Sequence, residues 1–185
     1  DNNNEIIEDP ISLFERVAIL VTIPDLLHDT ELYSSSDVVV QNITEAEEYY
    51  KKIDDFDLKL KIGSHYLNRY HFESLIRHYI HLAKSGHMKI SFKDLLRLIA
   101  EGQLSKYSDR IIEYNNLMVS KDFLPNTPTL MNAGAKLGQL SACFVLDMKD
   151  DMSEIMKSST DAAMIFKSGG GVGINYSNLR PEGDI

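Results

Sequence analysis

Apolar positions return every three or four residues through most of the chain up to Val119, the spacing that one face of an α-helix requires. In "ISLFERVAILV" (11–21), Leu13, Phe14, Val17, Ala18 and Val21 fall on one helical stripe. "YSSSDVVVQNIT" (33–44) breaks the run and reads as a loop with a short strand. The segment 44–67, "TEAEEYYKKIDDFDLKLKIGSHYL", is helical in propensity but heavily charged, with Gly63 as a point where a segment can end. Phe72, Leu75, Ile76, Tyr79, Leu82 and Ala83 predict a helix that stops near Gly86. Ser91 reads as the N-cap of the next one, with Asp94 three residues on and Gly102 past its end. Ser108 reads as the cap of a helix running to Val119. Residues 1–122 are therefore expected to form a mainly α lobe.

From Phe123 the pattern changes. Pro125 and Pro128 restrict the backbone around Asn126, so "PNTPT" predicts a stiff turn. "NAGAKLGQ" reads as a glycine-containing loop, and "SACFVL" as a short buried strand. "DDMSEIMKSSTDAAMIFK" predicts a helix opened by Asp151 and Glu154, with Met152, Ile155, Met156, Ala163 and Phe166 as its apolar stripe and Lys167 in its last turn. A glycine turn, a short alternating strand and another turn follow in "GGGVGINYSNLRPEGD". Residues 123–185 thus read as a strand–helix–strand beginning of an α/β domain, and no repeat of fixed period is visible.

Charge and composition narrow the function classes. With 43% hydrophobic and 25% charged residues, the 185-residue chain has the make-up of a folded protein with a real core. A net charge of −9 argues against a broad nucleic-acid or membrane surface, while leaving room for a local basic pocket. No apolar run approaches the roughly 20 residues of a membrane span. The opening "DNNNEIIEDP" has neither the basic nor the apolar region of a secretory signal. A single cysteine cannot form an internal disulfide, which fits a reducing, cytoplasmic compartment. The last residues, "LRPEGDI", read as stopping in mid-element.

Candidate chemistry gathers in 123–146. Thr127 and Thr129 flank Pro128, and Ser141 lies two residues before Cys143. Hydroxyls and free N–H groups on a rigid turn can hold phosphate oxygens; they can equally be satisfied within a packed loop. "KSGGGVG" lacks the Gly-Lys-Ser/Thr ending of a phosphate-binding P-loop, and Tyr176 stands where a dinucleotide fingerprint needs its third glycine. Cys143 is either an inert small hydrophobe or a redox thiol, and the second role needs a partner that these residues do not contain. His71, His78 and His81 share a helix at spacings poorly suited to a metal, so no metal site is expected. The acidic run "DDFD" (54–57) reads as a solvated face.

Taken together, "LPNTPTLMNAG", "QLSACFVL" and "KSGGGVGINYSNLRPEGD" resemble the large catalytic chain of ribonucleotide reductases, and "DPISLFERVA" is similar to that family's helical N-terminal region. The triple glycine and the "LRP-x-GD" ending look more like the adenosylcobalamin-dependent class than the di-iron class. The resemblance implies reduction of ribonucleotides to deoxyribonucleotides by radical chemistry, inside a ten-stranded α/β barrel of which 123–185 would be the start. It implies that Thr127, Ser141, Ala142, Cys143 and Gly171 contact substrate, and that Cys143 is one half of the pair that reduces the ribose. Asp150, Lys167 and Arg180 match contacts to an allosteric dNTP or ATP effector. The helix between Asp150 and Lys167 matches one that packs across a two-fold homodimer interface.

The radical-forming cysteine and the second redox cysteine of the family fall downstream of residue 185, and no ATP-cone pattern is seen. The resemblance therefore makes the chain an N-terminal portion of the enzyme, inactive alone, that works with the remaining portion and a thioredoxin-type reductant. A rival reading is a non-catalytic nucleotide-binding or assembly module that keeps the effector site and the dimer helix.

Overall fold

The computed structural model describes residues 8–36, 41–55 and 59–184. Helix α1 (Pro10–Leu27) begins where the Asp9 carboxylate accepts the Ser12 N–H at 2.9 Å, with proline in its first turn. The stripe expected over 11–21 understates its role. Val17, Ala18, Ile19, Leu20, Ile23, Leu26 and Leu27 are all buried, because α3, α5 and α6 surround the helix rather than cover one face. Thr22, also buried, donates its hydroxyl to the Ala18 carbonyl at 2.8 Å and so leaves no polar group unmet.

Helix α2 (Thr44–Lys51) and a 3₁₀ turn (Ile53–Asp55) lead to a two-residue hairpin, β1 (Lys61–Ile62) and β2 (His65–Tyr66). Helical propensity over 44–67 is thus realised only in its first third. Gly63 turns the hairpin with its Cα so close to Ser108 that a Cβ would lie 2.6 Å from that side chain. Of the expected loop and strand at 33–44, Tyr33 bridges Met88, and the stretch 37–40 lies outside the described residues. Part of the acidic run at 54–57 also lies outside them; Asp54 is ion-paired with Arg69.

Helix α3 (Arg69–Lys84) buries the face the periodicity predicts, and Asn68 caps it by accepting the His71 N–H at 2.9 Å. Helix α4 (Phe92–Ala100) is capped by Ser91 as expected, and packs Phe92 among Tyr49, Phe72 and Tyr79. Helix α5 (Ser108–Val119) departs in detail: Ser108 is its first helical residue and not its cap, because a 3₁₀ turn (Ser105–Tyr107) runs directly into it. "PNTPT" is likewise more than a turn. Asn126 caps a short helix, α6 (Thr127–Asn132), in whose first turn Pro128 is tolerated.

One hydrophobic core, drawn from Val17 to Ala133, unites these elements. The remainder is a β–α–β unit: β3 (Cys143–Asp147), α7 (Met152–Lys167) and β4 (Gly171–Asn175), with β3 and β4 parallel and Cys143 opposite Gly171. The strand expected to be buried is bare on one side, since α7 covers only the face of Phe144, Leu146, Val172 and Ile174. Among the described residues no helix is long and apolar enough to cross a membrane.

Candidate active site and effector face

A polar clamp holds α1 and α3 to α6 and to the start of the loop that leads into the thiol-bearing strand. The Arg16 guanidinium donates to the Leu130 carbonyl at 3.2 Å and to the Ala133 carbonyl, while Glu8 grips its other side at 2.8 and 2.9 Å. Asn68 Nδ2 donates to the Gly134 carbonyl at 2.9 Å. These bonds satisfy carbonyls in the last turn of α6 and just after it, which the short helix cannot pair internally. His71 sits between them, 1% exposed. Its Nδ1 accepts from the Asn68 N–H at 3.1 Å, so Nε2 carries the proton and donates to the Arg16 carbonyl at 2.8 Å. Burial drives the His71 pKa down to about 4, assisted by the neighbouring Arg16 charge and opposed by the carbonyl it binds. Gly134 lies against this ring at φ +67°; a Cβ there would come within 2.3 Å of His71 Nε2.

The clamped segment then hands the chain to β3. Thr129 Oγ1 donates to the Leu140 carbonyl at 2.9 Å, and Asn132 Nδ2 to the Gln139 carbonyl at 2.8 Å. Thr127, at the first position of α6, is exposed, as are Ser141 and Cys143. The Gly171 N–H donates to the Ala142 carbonyl at 2.7 Å, which fixes the start of β4 beside the thiol. Cys143 and Val145 share the uncovered face of the strand pair with Gly171 and Gly173, so no side chain on β4 overhangs the sulfur.

Two of the three consecutive glycines have a local cause. Gly169 ends α7 at φ +84°, and a Cβ on Gly170 would lie 2.8 Å from both Ile165 and Phe144. Helix α7 presses Ile155, Ser158, Ala162 and Ile165 toward the strands, with Ser158 donating to the Asp147 carbonyl at 3.1 Å. The expected stripe is therefore corrected. Met152, Met156, Ala163 and Phe166 point outward, and only Ile155 belongs to the packed face.

At the other end of β3, about 13 Å from Cys143 at strand spacing, lie the residues expected to read an effector. Arg180 Nε donates to Asp150 Oδ2 at 2.6 Å, so the fold brings these two together. Lys167 is exposed at the far end of the 16-residue α7, roughly 24 Å away. Asp151 caps α7 by accepting the Ser153 and Glu154 N–H groups. Bonds from the Ser153 hydroxyl and from those N–H groups hold its carboxyl below the usual range. Two polar groups here carry no signal in the one-dimensional pattern: Asp147 Oδ1 accepts from Asn178 Nδ2 at 3.0 Å and from its neighbour's Met148 N–H at 3.0 Å. Among the described residues no three His, Cys, Asp or Glu side chains cluster as a metal site would need.

The described residues thus join helices around one core to a parallel β–α–β unit with a thiol on its open face. The model of the ribonucleotide reductase all-alpha domain matches residues 73–138, and that of the ribonucleotide reductase barrel domain matches 141–185. The vitamin B12-dependent ribonucleoside-diphosphate reductase of Thermoplasma acidophilum is 35% identical over the whole chain and 22% of its own length. A vitamin B12-dependent ribonucleoside-diphosphate reductase of Mycobacterium tuberculosis is 41% identical over 45% of the chain and 12% of its own length. The ribonucleoside-diphosphate reductase large chain of Neurospora crassa is 36% identical over 70% of the chain and 14% of its own length. The chain belongs to the ribonucleotide reductase large-chain family, of which it holds a helical domain and the start of the barrel domain. It spans about a fifth or less of the length of these relatives.

Proposed function

We propose that the chain is the N-terminal part of a ribonucleotide reductase that reduces ribonucleotides, by radical chemistry, to the deoxyribonucleotides of DNA synthesis. The observation that carries this reading is Cys143, exposed on the open face of β3 with a glycine directly opposite. In that role Cys143 and a second thiol each give up one hydrogen. The ribose 2′-hydroxyl leaves as water, the two sulfurs close a disulfide, and a thioredoxin-type dithiol reopens it. Thr127, Ser141, Ala142 and Gly171 would contact the substrate. The names of the relatives favour a diphosphate. We divide the chain at 122/123, with barrel elements following a helical lobe, and place the enzyme in the cytoplasm.

Adenosylcobalamin is the radical source this reading favours, on the names of the Thermoplasma and Mycobacterium relatives. His71 is engaged at both ring nitrogens inside the lobe and offers the cofactor no ligand. Asp150, Lys167 and Arg180 would bind a dNTP or ATP effector. The length of α7 keeps Asp150 and Lys167 of one protomer from reaching a single nucleotide. A homodimer with antiparallel α7 helices would supply the two from opposite protomers. The outward Met152, Met156 and Phe166, each at least 60% exposed, suit that interface. The same surface supports the second reading, an assembly module that binds nucleotide without catalysis.

The 185 residues alone should form no deoxynucleotide, because they contain one cysteine. Extended to the length of its relatives, the enzyme with Cys143→Ser should lose multiple turnover with a dithiol reductant, while cofactor cleavage largely survives. Normal turnover in that variant would return Cys143 to a packing role.

A further inference from the structure

The loops at the carboxyl ends of β3 and β4 are fastened to each other at two points. One is the Arg180–Asp150 pair. The other joins Asn178 Nδ2 to Asp147 Oδ1 at 3.0 Å. Between them the turn is closed by the Leu179 N–H donating to the Tyr176 carbonyl at 3.0 Å, and by the Ser177 N–H donating to Asn175 Oδ1 at 3.0 Å. Asp147 is itself tied inward, since its carbonyl accepts from Ser158 on α7, which is 6% exposed.

Both fasteners lie at the surface, and they differ in what each is anchored to. Arg180 and Asp150 are 48% and 34% exposed, and an ion pair in such a setting adds little to the rigidity of a loop. Asp150 takes only the Nε–H of Arg180, so the terminal amino groups of the guanidinium can meet an anionic ligand while the pair holds. The tie that leaves the guanidinium out is Asn178–Asp147, a charge-assisted bond whose carboxylate stands at the end of β3, where Ser158 of α7 holds the backbone. We infer that Asp147 is a positioning residue: through Asn178 it fixes the turn that carries Arg180, and so sets where that guanidinium meets the phosphates of a nucleotide. This rests on the proposed effector role of Arg180 and adds two residues to it.

The test uses the 185-residue chain and its Asp147→Ala, Asp147→Asn and Asn178→Ala variants. Nuclear magnetic resonance of the Arg180 Nε–H reports the position of the turn without any ligand. Asp147→Ala and Asn178→Ala should shift this signal and speed its exchange, with the β3 and β4 amides unchanged. Asp147→Asn should preserve it, because its side-chain oxygen still accepts from Asn178. Titration with dATP, dGTP and dTTP should show about fivefold weaker binding in the two alanine variants. Affinity should be near normal in Asp147→Asn, and the double alanine variant should be no weaker than either single. An unchanged Arg180 signal in Asp147→Ala overturns the inference, and so does an Asp147→Asn chain that behaves like Asp147→Ala. If wild type binds none of the three nucleotides, the effector reading fails in this chain, while the Arg180 signal still decides the role of Asp147.

Discussion

His71 is neutral in the folded lobe because both its nitrogens are committed, one as acceptor and one as donor, in a place water does not reach. Protonation would set an Nδ1–H against the Asn68 N–H. With a folded pKa of about 4 against an ordinary 6.5, the unfolded chain binds the extra proton first as the solution is acidified. Stability present above about pH 6.5 should therefore fall between pH 6.5 and 4, by on the order of 3 kcal/mol, and level off below. Urea denaturation across that range measures it, and His71→Leu should abolish the dependence while costing stability at pH 7. Asp29 contributes in a lower window. Burial pushes its carboxyl up, but bonds from Lys106, the Glu31 N–H and Tyr107 outweigh that and hold it below 3.8, so its share is lost only under stronger acid. The sequence offered His71 only as a weak metal candidate. Its real partners lie on elements up to 55 positions away, where periodicity and spacing carry no information.

Helix ends and packed faces differ in how far a sequence reveals them. The caps at Ser91 and Asp151 were readable because each acts within three residues of itself. The hairpin at Lys61–Tyr66 was not, since charged helix formers precede it and contact with α5 decides its turn. In α7 the apolar residues outnumber what one face can bury, so composition alone cannot tell the packed side from the open one. The small residues decide: Ser158 and Ala162 let the helix lie close to β3 and β4. Met156→Lys should leave thermal stability within about 0.5 kcal/mol of wild type. Ile165→Lys, against Gly170 and Phe144, should cost several times that, as read by denaturant unfolding. Equal effects would mean that the outward face is packed within the monomer.

Across the whole molecule, the succession of a helical part and a strand–helix–strand was legible from the pattern, while α6, at Thr127–Asn132, still packs with the helical core. The clamp that holds α1 and α3 to α6 and the residues just after it was not, because Arg16 and Asn68 meet the Leu130 and Gly134 carbonyls only in three dimensions. The lobe holds a core of its own; the strand pair has α7 on one face, nothing on the other, and an unpaired edge along each strand among the described residues. Such edges are templates for further strands, whichever chain supplies them. Val145, 83% exposed on the bare face, adds an apolar contact to that template. Concentrated solutions of the 185-residue chain should accordingly scatter increasing light over time, and Val145→Lys should slow this severalfold without altering the helical signal. A ribosome makes the lobe first, so a folded, acidic carrier is already in place when the adhesive strands emerge. A lobe with its own core ahead of the strands would then serve, during synthesis, as a solubility tag that the protein supplies for itself.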